Sequence, residues 1–348
     1  MPLTKDDTLH AKGIAIIAML MLHLFCRLGD LPYTPLVWIG QTPLIYYLGL
    51  FGDICVPIYC FCAGYTHYLL QSKDQKKYIK QIPNKILRFL INYWIIVVLF
   101  ALVGLLFDST GKIPGSLGTF VGNILVVGMS YNGAWWFVAT YLFLLILSPL
   151  ESFLTKKVPA FLLLFCSGAF YLATYMFRYN FILEIHNPAL NWIWQQIILF
   201  GMSQLPYFIG MLAFRMELPQ KIRGYFAVKK NIVLKLLLVV GLPLMAFLGH
   251  CVVQSMAVAP FTAMAVLISL FLMKLPAWLN HFLSFLGEHS TNIWFTHMFF
   301  YLTLFKGLVF QAKYPVLILV LMFVICIPVS MLINAIYQPI RRRIDLLI

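Results

Sequence analysis

Residues 12–23, KGIAIIAMLMLH, are ten uncharged, largely apolar residues closed off by a lysine and a histidine. The run itself has the composition of a segment that dissolves in lipid, yet each end carries an ionisable side chain. An α-helix turns about 100° and rises about 1.5 Å per residue. Eleven steps therefore return Lys12 and His23 to one helix face, roughly 16 Å apart along the axis. An apolar helix with a polar stripe is the pattern to be followed along the rest of the chain.

The bulk composition has the same character. The chain has 348 residues, 62% hydrophobic and only 10% charged, whereas soluble domains carry about 25% charged residues. A soluble globular protein is excluded. A net charge of +14 would suit nucleic acid, but the Lys and Arg residues fall in short loops between apolar runs, which is the pattern of membrane topology. No nucleic-acid partner is expected. No Ala-x-Ala-like cleavage site follows the first run, which reads as a retained helix rather than a signal peptide. The seven cysteines lie mostly inside apolar segments, without zinc-type spacing to histidines. They read as buried thiols filling space, and no metal site is expected.

Runs long enough to cross about 30 Å of hydrocarbon are placed at 11–27, 46–70, 89–107, 134–154, 158–177, 194–214, 232–249, 257–274, 289–305 and 314–338. Segment 119–128 is apolar but too short, and is expected at the interface or re-entrant. With the N-terminus inside, ten spans place twenty of the 25 Lys and Arg on the inner side, as the positive-inside rule requires. The inner set includes Lys73, Lys76, Lys77, Lys80, Lys229 and Lys230; only Arg27, Lys112, Arg178, Lys306 and Lys313 remain outside. The expected fold is all-α and polytopic, with about ten transmembrane helices and both termini cytoplasmic. It forms a single transmembrane domain over 1–348 with no fused soluble domain.

Ionisable residues inside spans are costly and mark candidate functional sites. His23 lies near or just beyond the midplane. On the returning second helix, Asp53 comes to a similar depth, roughly 10 Å below the outer boundary. A carboxylate can fix the tautomer of a general-base histidine; helix packing is the plainer role for either residue. His297 and Ser290, seven apart, share a face of the ninth helix and suit packing or substrate binding. Glu288 and His289 are expected to be solvated at the inner boundary. Lys85 and Arg88, three apart at the start of the third helix, either anchor that helix or join Lys12 in a cationic pocket for a phosphate-bearing donor. Trp135 and Trp136, at the outer start of the fourth helix, suit an interfacial belt or a stacking platform for a sugar.

These stretches taken together resemble the acyltransferase family 3 membrane proteins. LHAKGIAIIAMLMLH (9–23) resembles the family's opening signature, in which a basic residue leads a Gly-Ile-Ala-like run ending in histidine. ICVPIYCFCAGY (54–65), NKILRFLINYW (84–94), AWWFVATYLF (134–143) and LGEHSTNIWFTH (286–297) resemble its later motifs, in family order over nearly the whole chain. Departures occur at Ala63, Tyr59 and Trp294, where serine, phenylalanine and tyrosine are common. By position, Lys12 and His23 match the basic residue and histidine that the resemblance implies are essential; Arg88 matches the third-helix basic position and His297 the late histidine.

The resemblance implies transfer of an acyl group, usually acetyl, from a cytoplasmic coenzyme A thioester to a hydroxyl of a cell-surface polysaccharide or lipid-linked glycan. His23, Asp53 and His297 are the expected catalytic residues, with Lys12, Lys85 and Arg88 on the donor and Trp135, Trp136 and Ser290 on the acceptor. Acetyl-CoA, or another acyl-CoA, is expected as donor substrate, with no bound cofactor. The setting is a bacterial plasma membrane. The chain either acts alone or hands its acyl group to a separate extracytoplasmic partner. A transporter or flippase for lipid-linked sugars, using the intramembrane histidines as a proton path, is the rival reading.

Overall fold

The computed structural model describes residues 2–229 and 231–347; the inner-loop Lys230 lies outside them. The chain starts with α1 (Lys5–Phe25). A capping box holds its first turn: the Asp7 amide donates to Thr4 Oγ1 (3.1 Å) and the Thr4 amide to Asp7 Oδ2 (2.8 Å), satisfying donors that the helix leaves unpaired. A two-residue hairpin, β1 (Trp38–Ile39) and β2 (Thr42–Pro43), precedes α2 (Leu44–Lys73), which is tightened by a 3₁₀ turn at Phe51–Ile54. Short α3 (Gln75–Lys80) leads to α4 (Ile82–Phe107) and α5 (Leu117–Ile124). Then come α6 (Gly133–Lys157), α7 (Ala160–Tyr179), α8 (Pro188–Arg215), α9 (Leu218–Lys229), α10 (Ile232–Val253) and α11 (Met256–Leu272). The chain continues through α12 (Ala277–Met298), α13 (Lys306–Phe310) and α14 (Pro315–Leu347). The fold is all-α in everything but the hairpin.

Among the described residues, eight helices are long and apolar enough to cross a membrane: α1, α2, α4, α6, α7, α8, α10 and α14. The expected ten are not all reached by this measure. Segment 257–274 is helical, but α11 is too short. Segment 289–305 falls on a helix that begins twelve residues earlier, at Ala277, and passes through a π turn at Phe299–Thr303; its polar stretch GEHSTN lowers its apolar character. Segment 119–128 overlaps the eight-residue α5, shorter than a span as expected.

The chain falls into two compact units. Unit 1 takes in residues up to Cys26, Tyr47–Lys80 and Phe143–Glu288; unit 2 takes in Arg27–Tyr46, Gln81–Leu142 and His289 onward. In unit 1 the helices meet at small residues, the usual solution where lipid supplies no hydrophobic drive between helices. A Cβ at Gly64 of α2 would overlap the Tyr207 carbonyl of α8, and one at Gly210 of α8 would overlap the Phe61 carbonyl of α2. Gly52 lies in the same way on the Ala18 carbonyl of α1. Arg223 of α9 grips α1 with two bonds to Asp7 (2.7 and 3.2 Å) and a third to the Phe271 carbonyl (2.9 Å). Cys55, Cys60 and Cys62 of this unit are buried as free thiols, as is Cys326 of unit 2.

Unit 2 is held by aromatic packing and by a layer of amides. Phe100 of α4 stacks on Phe299 at 4.0 Å between ring centroids. The Asn92 amide donates to Asn292 Oδ1 (2.8 Å), and the Asn292 amide to Asn334 Oδ1 (2.9 Å). In the loop before α5, Asp108 accepts from the Thr110 hydroxyl (2.6 Å) and from the amides of Thr110 and Ile113. These bonds, the Thr110 hydroxyl foremost, hold its carboxyl below the usual carboxylate range.

Because the Gly64–Gly210 crossing leaves no room for a side chain, Gly210→Val is expected to cost about 3 kcal/mol through overpacking. A lowered midpoint of SDS unfolding for the detergent-solubilised protein checks this; an unchanged midpoint would mean that the two helices part freely.

Candidate functional site

α1 is unbroken from Lys5 to Phe25, so the spacing that puts Lys12 and His23 on one face is kept. Both side chains are half-buried. His23 stands in the last turn of α1. Lys12 lies within electrostatic reach of Cys62 on α2. The 3₁₀ turn of α2 presses on α1 at Ala18 and Leu22, next to His23 in sequence, because residue 52 is glycine.

Asp53 sits in that turn but does not orient His23. Its Oδ2 accepts from Nε2 of His250 on α10 at 2.9 Å, and its Oδ1 accepts no hydrogen bond. Both members are buried, Asp53 at 6% and His250 at 2% exposure. Sequential helices brought Asp53 to the depth of His23; the direction of its side chain was set by a helix nearly two hundred residues away. A carboxylate in such a place needs a cation or donor in contact, and His250 supplies it. Its signal was present in the sequence: His250 interrupts the apolar run GLPLMAFLGHCVV as His23 interrupts its own.

The remaining candidates belong to unit 2. Lys85 donates to Gln81 Oε1 (3.1 Å) one turn earlier on the chain. The Arg88 guanidinium pairs with Asp345 of α14 at 2.6 Å, so part of the positive charge expected for an anionic donor is already matched. His297 is fully buried, and its Nδ1–H donates to the Trp294 carbonyl (2.8 Å). That bond puts the proton of the neutral ring on Nδ1 and makes Nε2 the acceptor nitrogen. The ring stacks on Tyr301 with an interplanar angle of 20°. Ser290 is buried, sharing the interior with His297 as the seven-residue spacing implied. Its neighbour Glu288 is exposed as expected, but His289 is buried, with Nδ1 2.7 Å from Ser330 Oγ. The hydroxyl on α14 gives this histidine a place in the protein interior.

The two tryptophans part company. Trp135 is neither an interfacial anchor nor an open platform: it has no exposed surface, and its indole N–H donates to the Phe295 carbonyl (3.0 Å). Tyr93 meets its ring edge-on at 4.9 Å. An indole buried with its polar atom satisfied is a packing element. Trp136 is half-buried against Phe137 and keeps part of its ring open.

These placements can now be set beside known proteins. The acyltransferase domain of acyltransferase family 3 matches residues 10–335. The chain belongs to this family. Neither the curated proteins nor the solved structures give a match. The family's domain and the apolar helices together describe a multi-pass membrane acyltransferase.

The Asp53–His250 contact yields a prediction about this acyltransferase. Removing one member of a buried pair strands the other, so Asp53→Leu or His250→Leu alone is expected to destabilise by about 3–5 kcal/mol. The double variant should recover most of that loss, since two apolar side chains replace two buried polar ones. SDS-unfolding midpoints of the three variants test the coupling; additive losses would show that the two side chains do not act as a pair.

Proposed function

We propose that the chain transfers an acetyl group from cytoplasmic acetyl-CoA to a hydroxyl of a cell-surface polysaccharide or lipid-linked glycan in a bacterial plasma membrane. The observation that carries the reading is the α1 face bearing Lys12 and His23, in a chain whose family match begins at residue 10. Coenzyme A is anionic, and Lys12 is suited to its phosphates. The roughly 16 Å from Lys12 to His23 matches the reach of a pantetheine arm that presents its thioester to the imidazole. His23 acts as general base on the acceptor hydroxyl: it takes the hydroxyl proton as the oxygen attacks the thioester carbonyl. The carbon–sulfur bond then breaks, and the thiolate recovers a proton from the imidazolium. Atoms and charge balance, and no resident cofactor is required.

Lys85 and Arg88 are the further residues proposed for the donor, Trp136 and Ser290 for the acceptor and His297 for the chemistry; Arg88 and His297 stand at family positions. Ten membrane crossings with both termini in the cytoplasm complete the proposal, α11 and the segment at 289–305 adding two crossings to the eight helices of sufficient apolar length. In this arrangement acetyl passes directly from the thioester to the acceptor within the membrane, without export of coenzyme A. An extracytoplasmic protein that accepts the acyl group is compatible with the same chemistry.

Purified protein in liposomes, given acetyl-CoA and a glycan fraction, tests the assignment through thiol release. A general base contributes about 10²–10⁴-fold, so His23→Ala should lower turnover by at least about 10²-fold with the protein still folded. Lys12→Ala should mainly raise the KM for acetyl-CoA. Undiminished turnover in His23→Ala overturns the mechanism.

A further inference from the structure

Unit 1 holds a second set of buried polar groups that the acyl-transfer chemistry leaves unused. Glu151 lies inside the apolar length of α6, at 3% exposure, and neither carboxyl oxygen accepts a hydrogen bond. No cation among the described residues lies within ion-pair distance of it. Arg215 of α8 is engaged at the end of α6, where it donates to the carbonyls of Thr155 and Val158. Lys156 and Lys157 point to the exposed side.

A second such group is tied to the same helix. Gln71 of α2 is 4% exposed. Its amide N–H donates to the Ser148 carbonyl (3.2 Å), while its Oε1 accepts nothing. Ser148 precedes Glu151 by three residues, so both lie on one face of α6, and Gln71 is anchored to the turn that carries the acid. Buried polar atoms without partners are few in native proteins. Here three acceptors are gathered, two on Glu151 and one on Gln71, and they lack a donor. An ionised carboxylate in this setting has no counter-charge. One added proton resolves both faults: the carboxyl becomes neutral, and its O–H becomes the donor that Gln71 Oε1 lacks.

Two hydroxyls lead from the Ser148 turn of α6 towards the loop side. The Ser148 hydroxyl donates to the Leu145 carbonyl (2.7 Å), which leaves its oxygen to accept from Tyr78 Oη at 3.1 Å. Tyr78 belongs to α3, in the loop that holds the largest group of lysines, outside the apolar span. His67 of α2 faces the same region with Nδ1 2.7 Å from Tyr207 Oη of α8, and Tyr207 Oη donates to the Leu144 carbonyl (3.4 Å). Cys60 of α2 is within electrostatic reach of Glu151 and hydrogen-bonds Ser203 of α8.

We propose that Glu151 is a proton-binding site of the membrane domain, its neutral carboxyl donating to Gln71 Oε1 and exchanging its proton with the loop side through the hydroxyls of Ser148 and Tyr78. One proton binds to, or leaves, a carboxyl oxygen; no bond between heavy atoms changes and no electron moves. The site is independent of the identity of the acyl donor and acceptor.

Infrared spectroscopy of the purified full chain in lipid nanodiscs at neutral pH reads the proton directly. The wild type should show a protonated-carboxyl C=O band that shifts on transfer to D₂O and is missing from Glu151→Gln. Gln71→Leu, which keeps the acid and removes its acceptor, should move that band to higher frequency, as expected of a carboxyl that loses its hydrogen bond. Tyr78→Phe should retain the band and slow its deuterium exchange several-fold. Identical carboxyl bands in the wild type and Glu151→Gln, or carboxylate bands at this residue that move with added sodium ion, would overturn the proton site. Unchanged exchange in Tyr78→Phe would overturn the route.

Discussion

A polar atom surrounded by hydrocarbon has to find its partner within the protein, and this requirement decides where most of the informative residues of this chain point. It turns Asp53 toward His250, places the Trp135 indole under the Phe295 carbonyl and strings Asn92, Asn292 and Asn334 into a layer. The same carbonyl of Phe295 also accepts from the Asn132 amide (2.9 Å), and the Trp294 indole returns a bond to the Ala134 carbonyl (3.0 Å). The start of α6 and the middle of α12 are thus locked by an exchange of side chain for backbone. Each such bond matters less for its own strength than for the cost of leaving it unmade.

Glycine determines how closely the helices of unit 1 approach. The reciprocal contacts of Gly64 and Gly210 bring the backbones of α2 and α8 together, and Gly13 and Gly287 do the same for α1 and α12, each against a carbonyl of the other helix. Close approach excludes lipid and leaves buried side chains dependent on one another. It also fixes the 3₁₀ turn that carries Asp53 against α1, so the residue nearest in sequence to this contact on the opening helix, His23, stands beside a backbone that has no slack.

The helical architecture could be read from the chain because apolar length and charge placement are properties of single segments. The stripe on α1 could be read for the same reason: eleven residues of uninterrupted helix fix a face. Partnerships between segments were another matter. Nothing in the local sequence around Asp53 specifies His250, and nothing around Arg88 specifies Asp345. Trp135 was misread because an interfacial and an interior tryptophan have the same neighbours in sequence and differ only in what covers them. Glu151 and His250 were legible in principle, being ionisable residues inside apolar runs, the criterion that drew attention to His23. No recognised motif surrounds either of them. Ala63 is the departure on which the structure gives no account.

One helix stands apart in its packing. Of the residues of α10, His250 alone is buried, and the helix is interrupted by a π turn at Leu237–Gly241 followed by Pro243. Many of its side chains are exposed and face the bilayer, while Phe247 meets Phe51 edge-on at 5.5 Å and the Val239 carbonyl accepts from the Ser269 hydroxyl at 2.6 Å. A change in hydrocarbon thickness is met by tilting or bending at modest cost per ångström, and α10, with a π turn in its middle and few buried side chains, offers less resistance to it than the glycine-packed helices. Lipid composition therefore acts on this protein unevenly: most of unit 1 is braced by glycine crossings, while α10 follows the bilayer and pulls on a single imidazole.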